Sequence, residues 1–168
     1  KGEQPSLEAQ LVNIADAIAY STHDIDDGLR VSYLEEKDLI ENVPLYAKYH
    51  AQTAAEYPNI QERRKQKEVV RRLIGYMVDD LVSTSRTNIE AAQPESPDDV
   101  RALGAPLISF SEEARGQMKV LKSTLMEKLY RHYRVMRVVE KSADMITQLY
   151  QVFVRSPVLL PPLYQERS

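Results

Sequence analysis

The sequence predicts an all-α chain, a multi-helix bundle, and three features lead there. Glycine is scarce, five residues in 168, while the good helix formers Leu, Ala, Glu and Arg are plentiful. Apolar residues recur at steps of three and four in several long stretches, which is the period of one helical face. No stretch alternates apolar and polar residues for long enough to make a convincing strand, and no internal repeat is present. With 43% hydrophobic residues, the chain can bury one ordinary core.

The first helix is expected to start at Ser6, a good N-cap, and to carry the stripe Leu7, Leu11, Ile14 and Ile18. Gly28 is the expected end, because glycine commonly follows a helix C-terminus. A looser stretch follows, then a short helix over residues 44–56. Asn59 is the expected cap of a long helix running to about Ala92, with Val70, Ile74, Met77, Val78 and Leu81 as its core face. Residues 93–99 (Gln-Pro-Glu-Ser-Pro-Asp-Asp) read as a loop. Ser111, followed by Glu112 and Glu113, starts the next helix, whose stripe is Ala114, Met118, Leu121, Leu125 and Leu129. A last helix carries Val135, Val138, Val139, Ile146, Leu149 and Phe153 and must stop before Pro157. The tail, with Pro157, Pro161 and Pro162, cannot be helical throughout.

Composition excludes several classes. The 22 basic residues nearly balance the 25 acidic ones, so no global charge points to nucleic acid or a membrane surface. Cysteine is absent, which removes disulfides, zinc–thiolate sites and thiol nucleophiles. No apolar run approaches the roughly 20 residues of a membrane span. The start, Lys1 to Ser6, is polar, with neither an initiator methionine nor a signal peptide's apolar region. A fragment or processed product is expected, and the cytoplasm is the default location.

The first helix departs from the usual pattern. At about 100° per residue, Asp16, Tyr20 and Asp24 fall roughly opposite the apolar stripe, where Lys and Glu are ordinary. Their neighbours there are Ala9, Asn13 and Ala17. No Lys or Arg stands between Lys1 and Arg30, so no i,i+4 pair can relieve Asp16 or Asp24. Asp24, Asp26 and Asp27 crowd the helix C-terminus against its dipole. This pattern suits a face that awaits a cation or a sugar hydroxyl, and it equally suits an exposed acidic helix end. The run Asp24-Ile-Asp-Asp-Gly-Leu is no calcium loop, because its glycine stands fifth rather than sixth.

Glu8-Ala-Gln10, Ala15-Asp16-Ala-Ile-Ala-Tyr20 and His23-Asp24-Ile-Asp-Asp27 form a long ungapped pattern. It resembles the segment of dGTPase-like deoxynucleoside-triphosphate triphosphohydrolases, within the HD metal-phosphohydrolase superfamily, that closes the metal site. Leu129-Tyr-Arg-His-Tyr-Arg-Val135 is similar to that family's C-terminal region. The resemblance implies that all 168 residues are one helical segment from the C-terminal part of an HD-like fold. Residues 1–30 would close the metal and nucleotide site, and residues 31–168 would be the C-terminal helical region.

Several residue roles follow from the resemblance alone. Asp16 would complete a site of two histidines and two aspartates around one divalent metal, Mg²⁺, Mn²⁺ or Fe²⁺. Tyr20 would pack on the deoxyribose, and Asp24 would meet the 3′-hydroxyl. Eight helical residues span about 12 Å, room for metal, α-phosphate and sugar in sequence. His23-Asp24 is not taken as the ligand-bearing His-Asp pair, which the family carries upstream of this segment together with its catalytic groups. His50 and His132 have no suitable sequence neighbours. The implied reaction is hydrolysis of a dNTP, dGTP first among them, to deoxynucleoside and tripolyphosphate. Lys119, Lys122, Arg131 and Arg134 are candidates to meet the phosphates, and Tyr130 to enclose sugar or base, although such residues also make solvated helix faces. The run Arg63-Arg-Lys-Gln-Lys67, with Arg71 and Arg72, could bind a dNTP or single-stranded DNA effector or be a solvated face.

Two functional classes stay open. One is a part of a dNTP triphosphohydrolase that is inactive by itself. The other is a helical oligomerisation or effector-binding module without catalysis. The family's tendency to assemble makes a homo-oligomer the expectation in either case.

Overall fold

The computed structural model describes residues 3–165, so Lys1 and Gly2 of the polar start lie outside the described residues. Eight α-helices are present, with no strand among the described residues: α1 (Leu7–Arg30), α2 (Glu36–Asn42), α3 (Pro44–Glu56), α4 (Glu62–Ala92), α5 (Pro97–Ala102), α6 (Glu112–Leu125), α7 (Tyr133–Arg155) and α8 (Pro162–Gln165). A π-helical turn (Met126–Tyr130) follows α6 and a 3₁₀ turn (Pro157–Leu159) follows α7. The predicted all-α class holds. No described helix is long and apolar enough to cross a membrane. The chain forms two compact units, Lys1–Leu129 and Tyr130–Ser168.

In the first unit, α4 packs against α3 and α1, α3 against α2, and α6 against α1 and α2. The core gathers Ile25 from α1, Leu39 from α2, Tyr46 from α3, Val69, Leu73 and Met77 from α4, and Leu121 and Leu125 from α6. Each such side chain contributes about 1.5–3 kcal/mol when fully buried. Ser6 caps α1 as expected, its hydroxyl accepting from the Ala9 N–H at 3.3 Å. Ser111 caps α6 in the same way at 3.1 Å. The stripe Ala114, Met118, Leu121, Leu125 and Leu129 is buried throughout.

The end of α1 differs from expectation. The helix passes Gly28 and runs to Arg30, and the left-handed residue that stops it is Ser32, at φ 56°. Tyr33 N–H donates to Gly28 O at 3.0 Å and Ser32 N–H to Leu29 O at 3.3 Å, which closes the orphan carbonyls as a Schellman end does. Gly28 serves packing instead. A Cβ there would lie 3.0 Å from Leu34 Cβ and 3.1 Å from Leu129 Cδ1.

Three further expectations are corrected. The stretch after α1 is not loose throughout, because it contains α2. The cap of α4 is Gln61 rather than Asn59, and the buried face is Val69, Leu73, Met77, Leu81 and Ser85. Two adjacent apolar rows run along α4, and periodicity alone cannot choose between them; the row Ile74, Val78, Val82 is the exposed one. Residues 97–102 are helical, because Ser96 and Asp99 form a reciprocal capping box with Pro97 in the first turn.

In the second unit, α7 ends at Arg155 before Pro157, as the prolines require. None of its 23 residues is buried.

Candidate functional site

On α1 the structure separates two faces. Gln10, Ile18, Ser21, Thr22, Ile25 and Gly28 are buried, while Asp16 and Tyr20 are exposed and Asp24 is half-buried. Four residues turn a helix by about 400°, so a row at that spacing drifts about 40° per step. Asp16 therefore points most directly outward, and Asp24 lies nearer the packed edge. The expected stripe is only partly right. Ile18 is buried, but Leu11 remains 46% exposed, while polar Gln10, Ser21 and Thr22 are buried.

The acids of this helix also sort themselves. Asp26, one of the acids crowding the helix end, is bound by Arg63 of α4 at 2.7 Å. Asp27 is paired with Arg30 at 2.8 Å. Both are structural ion pairs, and sequence distance hid the first. Asp16 makes no ion pair among the described residues. His23 is exposed and stands 4.0 Å from Asp27. Seven helical residues, about 10.5 Å, separate it from Asp16, too far to share one ion.

The other candidates are placed as follows. Lys119 and Lys122 are exposed on α6. In the second unit Tyr130 is half-buried at the end of the π-helical turn, and Arg131 is exposed beside it. Arg134 donates to the Tyr133 hydroxyl at 3.1 Å. Most of the basic run is internally neutralised. Arg63 holds Asp26, Lys65 holds Glu62 at 3.0 Å, Arg71 holds Glu68 at 2.6 Å, and Arg72 holds both Glu56 and Glu68. An open groove of about 1020 Å³ lies beside Ile14, Asn88, Pro106, Phe110 and Arg115, and its lining lacks Asp16, Tyr20 and Asp24.

One cluster was missed from sequence. Glu36 of α2, His50 of α3 and Glu62 of α4 bring one ligand atom each to within 4.8 Å of one another. His50, expected to lack suitable neighbours, has its Nε2 4.0 Å from Glu36 Oε1. The buried Tyr46 hydroxyl donates to the same oxygen at 2.8 Å, and its ring stacks on His50 with centroids 6.4 Å apart. Burial, and then the facing Glu62 carboxylate, push the Glu36 carboxyl up from its ordinary value. Glu62 is held down by the hydrogen bond from Glu36 and by Lys65. Burial and the Lys65 charge lower His50. The partners are 14 and 12 residues from His50 and on different helices, so no local motif marks them.

Residues 108–168 match the family described as a phosphohydrolase-associated domain. All 168 residues align, at 48% identity, with 43% of a deoxyguanosinetriphosphate triphosphohydrolase-like protein of Ralstonia nicotianae. Similar relatives of the same name occur in Bordetella pertussis, 44% identical over 165 residues and 42% of that protein, and in Geobacter metallireducens, 39% identical over 166 residues and 43% of it. The chain thus spans about two-fifths of the length of these curated relatives.

Proposed function

The chain belongs along its whole length with the deoxyguanosinetriphosphate triphosphohydrolase-like proteins, and from that premise we propose that it forms one wall of the nucleotide site of a metal-dependent dNTP triphosphohydrolase. The observation that carries this reading is the row of exposed Asp16, exposed Tyr20 and half-buried Asp24 on a helix anchored by its opposite face. An exposed mid-helix carboxylate with no ion pair among the described residues fits the role of one metal ligand. The other ligands implied by the resemblance do not map onto this chain.

The proposed reaction is attack of water at the α-phosphorus of a dNTP. The bond from phosphorus to the 5′-oxygen breaks, the 5′-oxygen takes up a proton, and deoxynucleoside and tripolyphosphate leave. A bound divalent metal would supply phosphoryl polarisation and water activation. Asp16 would hold one of its coordination positions. Tyr20 offers an aromatic face to the deoxyribose, and Asp24 accepts from the 3′-hydroxyl. Lys122, an exposed cation of the same unit, is the candidate for countering phosphate charge.

The test compares two proteins by ³¹P NMR with dGTP and Mg²⁺ or Mn²⁺. A longer protein carrying this chain should release tripolyphosphate, and the 168-residue chain alone should not. Stepwise release of single phosphates by the longer protein would contradict the reading.

Helix α7 favours a second, compatible reading, a helical oligomerisation or effector-binding module. Val138, Val139, Ile146, Leu149 and Val154 are each more than half exposed, an apolar face of the kind that mediates association. Concentration-dependent sedimentation of the chain, weakened by Ile146→Glu, would support it; a strictly monomeric chain would count against it.

A further inference from the structure

We propose that Glu36, His50 and Glu62 form a divalent transition-metal site that cross-links α2, α3 and α4. Three independent helices converge on it, and their donor atoms already lie within 4.8 Å. Ligands around one such ion, at bonds of about 2.0–2.2 Å, stand roughly 3–3.5 Å apart, so side-chain rotation of about 1 Å closes the set. One imidazole nitrogen and two carboxylate oxygens suit Zn²⁺ or Mn²⁺ better than Ca²⁺, which takes oxygen ligands alone.

The support behind the donors argues for more than a chance meeting of acids. Tyr46 is fully buried, hydrogen-bonds Glu36 through its hydroxyl and stacks on His50 through its ring. One immobile residue thus orients two of the three donors, the role outer partners play at metal centres. Glu62 is 60% exposed and gives the ion an approach from solvent. Lys65 is the cation now facing that carboxylate, and it would swing away when the ion binds. The remaining positions would be taken by water. The chemistry points to a structural tie.

ZnCl₂ and MnCl₂ are titrated separately into the 168-residue chain, followed by calorimetry, thermal melting and NMR of the histidine rings. We expect one ion per chain, a raised Tm, and Mn²⁺ broadening the His50 ring signals before those of His23 and His132. Glu62→Gln, an exposed change, and His50→Asn should each weaken binding by about tenfold or more, while Glu140→Gln, exposed on α7, should leave it unchanged. Absence of binding, binding that survives Glu62→Gln, or broadening that spares His50 would overturn the proposal. The His50 readout needs no substitution, so a misfolded variant cannot hide the answer.

Discussion

The side-chain oxygen of Gln10 accepts the backbone N–H groups of Leu107 and Ile108, at 2.9 and 3.1 Å, 97 and 98 residues further along the chain. Its amide donates in turn to Pro5 O at 2.8 Å. One buried polar side chain therefore pins the segment before α6 onto the second turn of the helix that carries Asp16. Gln10→Ala would leave two buried N–H groups without a partner, each worth about 1–3 kcal/mol. We predict a loss of about 2–4 kcal/mol in urea unfolding; a change below about 0.5 kcal/mol, the size of an ordinary surface substitution, would show the clamp to be unimportant.

Glycine offers a paired test of packing. Gly28→Ala places a methyl 3.0 Å from Leu34 and 3.1 Å from Leu129, and overpacking of this kind costs about 1–3 kcal/mol. Gly75, inside α4, has nothing within 4 Å of an added Cβ, so Gly75→Ala should gain about 0.5–1 kcal/mol of helix stability. Opposite shifts in Tm are expected; shifts of the same sign would contradict the assignment of Gly28 as a close-packing residue.

These cases mark what the sequence makes legible. Ser6 and Ser111 were readable as caps because capping is local chemistry, and the Ala114-to-Leu129 stripe because α6 has one apolar row. The end of α1 was not, since Ser32, not a glycine, takes the left-handed turn. The face of α4 was ambiguous because two apolar rows compete. Asp26–Arg63 and Glu36–His50–Glu62 depend on which helices meet, and helix period carries no such information. That Asp16 and Tyr20 stay exposed on α1 was legible, being a matter of spacing on one helix, whereas the half-burial of Asp24 depends on what packs beside it.

Acid should act through Glu68. Arg71 and Arg72 bond its carboxylate and hold it well below its ordinary value of 4.5, at about 2. The folded state then binds fewer protons than the unfolded one between those values, so stability rises with pH across that window and is lost as pH falls through it. Glu68→Gln should flatten the acid limb of a stability–pH profile between pH 4.5 and 2. An unaltered slope would exclude Glu68 as its source. Arg71 is largely exposed, so the effect should shrink in high salt.

Tyr20 separates pocket wall from surface. It is 60% exposed, so Tyr20→Ala should leave the fold intact. In a longer, active protein carrying this chain, KM for dGTP should rise about tenfold, roughly 1.4 kcal/mol of binding, with a smaller change in kcat. An unchanged KM would remove Tyr20 from the site.

The central claim rests on Asp16, and it is met most directly by kcat/KM for tripolyphosphate release from dGTP in the longer protein with Asp16→Ala. Alanine is the best helix former and the position is exposed, so circular dichroism should be unchanged. The account predicts a fall of roughly a thousandfold or more, about 4 kcal/mol of transition-state stabilisation. Activity within a few-fold of the unsubstituted protein would contradict it.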